Sequence, residues 1–152
     1  MNTSALVAFV HHVAAFTLAG ALIAELVLFE RNLNLGRARR IQRADLAYGI
    51  SAGVLLAAGL LRVFYFERGG AYYFHNMFFI AKLSLFIIVA LLSIYPTALF
   101  VSWSKQLKTG IVPQPADAQV RRVRAVILWE LLGIVGILLC ASLMARGIGM
   151  IE

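Results

Sequence analysis

Four apolar runs constrain this chain more than any other feature. They cover about residues 4–28, 45–66, 75–101 and 123–145. Each is long enough to cross a bilayer, which takes roughly 20 helical residues. Backbone N–H and C=O groups in hydrocarbon must be satisfied within the segment, so each run reads as a helix; four long runs do not supply a closed barrel. The expected fold is all-α, an integral membrane four-helix bundle forming a single domain over residues 1–152. Composition agrees: 62% of the residues are hydrophobic and only 14% are charged, against about 25% charged in a typical soluble domain. We find no internal repeat and no low-complexity segment.

The net charge of +7 raises the question of nucleic acid, but its distribution points to lipid. The first connection holds Arg31, Arg37, Arg39, Arg40 and Arg43, and the third holds Lys105, Lys108, Arg121, Arg122 and Arg124, ten of the fourteen Lys and Arg residues. These two loops lie on one side of a four-span protein. The positive-inside rule assigns them to the cytoplasm and both termini to the outside. Basic residues there meet anionic lipid, so no nucleic-acid partner is expected. The second connection is short, with Arg68 and a Gly69-Gly70 turn signal. The N-terminus lacks the basic region of a cleaved signal peptide. A multi-pass protein of the bacterial inner membrane is the expected localisation.

Smaller features fit this frame. Tyr72, Tyr73 and Trp103 are expected at the interfacial aromatic belt. Gly49 and Gly53, with Ala15, Ala19 and Gly20, offer small surfaces for close helix approach. Pro96 is expected to kink the third span, with Ser93 available for a freed carbonyl. Pro113 and Pro115 keep the middle of the third connection from being helical. Cys140, the single cysteine, reads as a buried apolar residue.

Ionisable groups within spans are costly and mark interior sites. The first span carries His11, His12 and Glu25, and the second carries Arg62, with Asp45 at its entrance. His75 opens the third span and Lys82 lies about 10 Å deeper at the helical rise; Glu130 is in the fourth. The histidines and the two cations gather in the outer half of the bundle, Glu25 and Glu130 in the inner half. His75 and Lys82 share a stripe bordered by Phe78, Phe79 and Phe86. His11 and Glu25 share a face, while His12 points about 100° away.

Histidines on two spans can hold haem iron from opposite faces, between apolar aromatics. Arg62 or Lys82 would pair with the haem propionates. The expected cofactor is thus haem b, with His11 or His12, and His75, as candidate iron ligands. Electrons would pass between a membrane quinone or quinol and an acceptor at the outer face. Simpler readings stand beside this one. His75 reads equally as a headgroup-level residue and Arg62 as a snorkelling one. Lys82 and Glu130 can form a structural ion pair with each other or with Glu25.

The whole chain also resembles a bacterial membrane family known as domain of unknown function 2214. The resemblance rests on FVHHVAAF, ARRIQRADLAYGI, YFHNMFFIAKLSLFIIVALLSIYPT, RRVRAVILWELL and LMARGIG. More distantly, the layout is similar to two groups of small haem-linked membrane proteins, the four-helix membrane protoporphyrinogen oxidases and the copper-resistance D family. The oxidase resemblance implies that His11 or His12, Lys82 and Glu130 occupy its prominent His, Lys and Glu positions. The oxidases set a second His two residues before their Lys, where this chain has Ile80.

Two other function classes remain open on sequence. One is a proton or metal-ion transporter subunit, with Glu25, Lys82 and Glu130 as the path; four spans are few for that task, so a homodimer would be needed. The other is a structural or assembly subunit of a larger membrane complex.

Overall fold

The computed structural model describes residues 2–66 and 73–150. The helices begin where the sequence supplies a side-chain acceptor for their first N–H groups. Helix α1 spans Thr3–Leu28 behind the Asn2 cap, and α2 spans Leu35–Leu61 behind Asn34, whose side chain accepts from the Arg37 N–H. Helix α3 spans Met77–Ser102 behind Asn76, which accepts from Phe78 and Phe79. Asparagine at this position satisfies donors that have no partner within the helix. A short α4, Ser104–Lys108, follows, and α5 spans Asp117–Ala145. Helix α2 runs on as a π-helical turn over Arg62–Phe66. No strand occurs among the described residues; one isolated bridge joins Asn76 to Met150.

Four of these helical stretches are long and apolar enough to cross a membrane. Their outer surfaces carry large apolar side chains: Phe16 is 78% and Val27 71% exposed. Contiguous apolar surface of this kind belongs against lipid, not water. The all-α four-helix membrane bundle expected from sequence is therefore the architecture observed. Two helices reach further than the hydropathy runs, which begin at about 45 and 123. Helix α2 starts at Leu35 and α5 at Asp117, so the arginine-rich ends of both project past the apolar layer.

The bundle is built from two close pairs. Helix α1 packs along the length of α2, and α3 along α5, while contact between the pairs is much sparser. The α3–α5 seam depends on absent side chains. A Cβ on Gly133 would collide with Val89, and one on Gly136 would lie 3.2 Å from Leu85. Gly49, Gly53 and Gly20 have open space where a Cβ would go. The close-approach positions are thus Gly133, Gly136 and Gly59, not those expected. On α1 the buried small residues are Ala14 and Ala21, one position away from the expected Ala15 and Gly20.

At the arginine-rich end the rings of Phe29, Phe100 and Trp103 cluster at 5.3–6.0 Å between centroids, Phe29 stacking on Trp103 and meeting Phe100 edge-on. They join Ile41, Val123 and Ile127 in the main core. Trp103 and Tyr73, expected in an interfacial belt, are both buried; Tyr72, Arg68 and the Gly69-Gly70 turn lie outside the described residues. Polar side chains serve helix ends here. Arg124 donates to the Leu26 and Phe29 carbonyls at 2.6 and 3.2 Å, and Gln42 to the Phe100 carbonyl at 2.6 Å. Cations at helix C-termini satisfy orphan carbonyls and the helix dipole. Arg31–Asp117 and Arg37–Glu30 ion pairs lie on the surface, where such pairs contribute little. Pro96 sits buried within α3. Ser93 donates to the Ala90 carbonyl at 2.8 Å, not to the Leu92 carbonyl that the missing proline N–H leaves open.

At the opposite end the C-terminal segment is latched onto the start of α3. Asn76 is fully buried, its side chain donates to the Ile148 carbonyl at 3.0 Å, and the Met77 N–H donates to the Gly149 carbonyl at 2.8 Å. Gly149 has φ +89°, and a Cβ there would meet the Phe78 ring. Asn76 thus caps α3 and holds the tail with one side chain.

Two substitutions test these supports. Asn76→Ala removes a cap and a buried hydrogen bond and lowers stability by roughly 2 kcal/mol. Gly133→Ala forces Val89 aside and costs about 1–3 kcal/mol. Both appear as a lower melting midpoint of the detergent-solubilised protein, with Asn32→Ala, an exposed change, leaving it unmoved.

Candidate functional site

Because the two helix pairs touch sparsely, a cavity of about 400 Å³ lies between them. That is within the ~300–1,000 Å³ range of small-molecule and cofactor sites. Its walls are mainly aliphatic and aromatic, drawn from all four long helices. Along α3 it runs from Phe79 past Lys82 to Thr97, about 27 Å at the helical rise. It is thus a slot along the bundle axis, and its few polar groups are segregated to the two ends.

His11 and Lys82 face the end away from the arginine-rich loops. His11 occupies the space that a side chain on Gly59 would need, its Cε1 lying 3.4 Å from where a Cβ would stand. The His11 Nδ1 is buried and lacks a well-formed hydrogen bond, although the Leu55 backbone lies within reach of the ring. A buried polar atom left in this state costs about 1–3 kcal/mol. Arg62 and Lys82 both lie within electrostatic reach of the ring. The Lys82 Nζ stands 5.2 Å from the centroid of the Phe79 ring, a cation–π distance. Phe86 and Val63 continue the wall.

The other end is acidic. Asp45 and Tyr48 of α2 and Ser93 and Thr97 of α3 line it, and the Thr97 hydroxyl donates to Asp45 at 2.6 Å. Behind them lie Glu25 of α1, 1% exposed, and Glu130 of α5, fully buried. Both Glu130 oxygens and one Glu25 oxygen lack hydrogen-bond partners. The three carboxyls sit within electrostatic reach of one another, and Tyr48 within reach of all three. Each occupies a core-facing stripe at helical spacing: Glu25 follows Leu18 and Leu22, Asp45 follows Ile41, and Glu130 follows Val123 and Ile127. The fold therefore directs them inward as it would leucines. Among the described residues, no three of His, Cys, Asp and Glu form a group that could hold a metal ion.

The structure brings together His11, Arg62 and Lys82, and separately Glu25 and Glu130. It does not gather the three histidines. His12 is exposed on the lipid-facing side of α1, and its Nδ1–H donates to the Ala8 carbonyl at 2.6 Å; its ring meets His11 edge-on at 5.9 Å. His75 is exposed on the turn before α3, and the cavity is lined without it. Glu130 has no hydrogen bond to Lys82, which stands at the far end of the slot. Sequence reasoning passed over Tyr48 and Thr97 and left Asp45 at the mouth of its span. The missed signal was the spacing of Ile41, Asp45 and Tyr48, which share the buried stripe of a helix beginning ten residues earlier than hydropathy suggests.

Comparison with known proteins adds the family and little more. No curated protein and no solved structure matches the chain. A family model described as "Predicted membrane protein" matches residues 3–149, which takes in all four spans, the cavity and the C-terminal latch. The chain therefore belongs to this family of membrane proteins, domain of unknown function 2214.

Proposed function

We propose that this protein binds one haem b in the cavity between its helix pairs, with His11 as the iron ligand. The observation that carries the reading is the His11 ring facing an apolar slot beside two cations, with a buried nitrogen that lacks a well-formed hydrogen bond. Neutral imidazole is the commonest protein ligand of haem iron. Lys82 and Arg62 supply positive charge for the propionates. Phe79 and Phe86 offer flat apolar surface to a macrocycle, and most of the remaining wall is aliphatic. When bound, the haem would supply one-electron redox chemistry; the quinol-linked electron transfer expected from sequence belongs to this reading. His11 holds it alone, because His12 is turned to the lipid and His75 is exposed on its turn. The positive-inside orientation sets the His11 end toward the outer face of the bacterial inner membrane.

A transport reading draws on different residues, the buried carboxyls at the other end. It predicts a colourless protein and substrate-dependent flux in liposomes.

The haem reading is tested by the visible spectrum of protein expressed with haem precursor and purified in detergent. The wild type carries a Soret band. His11→Ala abolishes it, whereas His12→Ala and His75→Ala retain it. Lys82→Gln weakens haem retention about tenfold, the loss of one charge-assisted hydrogen bond. A wild type without a Soret band at full haem supply overturns the reading.

A further inference from the structure

The carboxyl layer is sealed on one side and adjoins the cavity on the other. One turn nearer the arginine-rich loops each long helix, or for α1 its C-terminal cap, carries a fully buried apolar residue: Phe29 beyond Glu25, Ile41 before Asp45, Phe100 beyond Thr97 and Ile127 before Glu130. Those four side chains form a floor between the carboxyls and the loops. On the other side Asp45 and Tyr48 line the cavity directly.

Among the described residues, no Lys or Arg hydrogen bond reaches the unpartnered oxygens of this layer. Arg124, the nearest arginine along α5, donates to the Leu26 and Phe29 carbonyls. Arg122 lies against the Tyr95 ring at 5.9 Å. Helix α3 lines this end with hydroxyls, Ser93 and Thr97, and its Lys82 lines the opposite end; Tyr95 of the same helix packs against the core. Glu25, Asp45 and Glu130 are nine-tenths or more buried, and the unpartnered oxygens belong to the two glutamates. Among the described residues none of the three forms a salt bridge, and buried carboxyls in that state are held by neutralising charge. A metal is disfavoured by their arrangement, which leaves protons.

We propose that Glu25, Asp45 and Glu130 form a proton store at the floor of the cavity, and that Tyr48 links it to whatever occupies the slot. A proton leaving one carboxyl for the cavity is replaced from the cavity side, because the Phe29–Ile41–Phe100–Ile127 floor closes the direct route from the loops. The store belongs to the helices themselves and does not depend on haem.

The test is infrared spectroscopy of the full chain in lipid nanodiscs, prepared without haem precursor so that its outcome is independent of the Soret result. A protonated-carboxyl stretch is expected that moves to lower frequency in D2O. Part of its intensity is lost in Glu130→Gln and a further part in Glu25→Gln, both near-isosteric changes. Tyr48→Phe is expected to keep the band and slow its exchange several-fold. The proposal is overturned if the wild type has no such band, or if the band is untouched by Glu130→Gln, Glu25→Gln and Asp45→Asn. A band that never exchanges overturns it too, and an unchanged exchange rate in Tyr48→Phe removes the Tyr48 link.

Discussion

The close seam between α3 and α5, where Gly133 leaves Val89 the space a side chain would take and Gly136 lies close against Leu85, is the contact on which the rest of the architecture depends. In a membrane no hydrophobic force drives helices together, since lipid is as apolar as leucine; close packing and polar contacts decide which helices pair. Here α3 commits itself to α5 and α1 to α2. The two pairs then meet through bulky residues and leave a slot. The cavity is a consequence of unequal seams, not a defect within an otherwise filled core.

That slot has chemical direction. One end combines an imidazole with two cations; the other combines three carboxyls with a phenol. Polar groups at this depth are destabilising unless something holds them. The His11 end leaves a ring nitrogen without a well-formed hydrogen bond and the acidic end lacks partners for three carboxyl oxygens. Both ends therefore carry a cost that packing alone does not offset. A ligand at one end and protons at the other would relieve it.

The bundle was legible from hydropathy because bilayer thickness fixes span length, and the count of four spans puts the first and third connections on one side. The depth of His11, Lys82, Glu25 and Glu130 followed from the same ruler. What hydropathy could not convey was facing. His11 and His12 are adjacent in sequence, but only a packed neighbour, Gly59, decides which ring turns inward. Trp103 read as interfacial because it ends a span, yet it stacks on Phe29 from another helix. Asp45 read as a span entrance because four arginines lower the hydropathy of the first turns of α2. Asn76 gave no sign of its latch, since its partners Ile148 and Gly149 lie at the far end of the chain.

The central claim is that the slot holds a haem through a single histidine, and electron paramagnetic resonance of the ferric protein tests it most directly. With His11 as the one histidine at the slot, the account predicts a high-spin ferric signal that disappears in His11→Ala. A low-spin bis-histidine signal that requires His75 would contradict it, because that ligand set needs the α3 turn to leave the position it holds here.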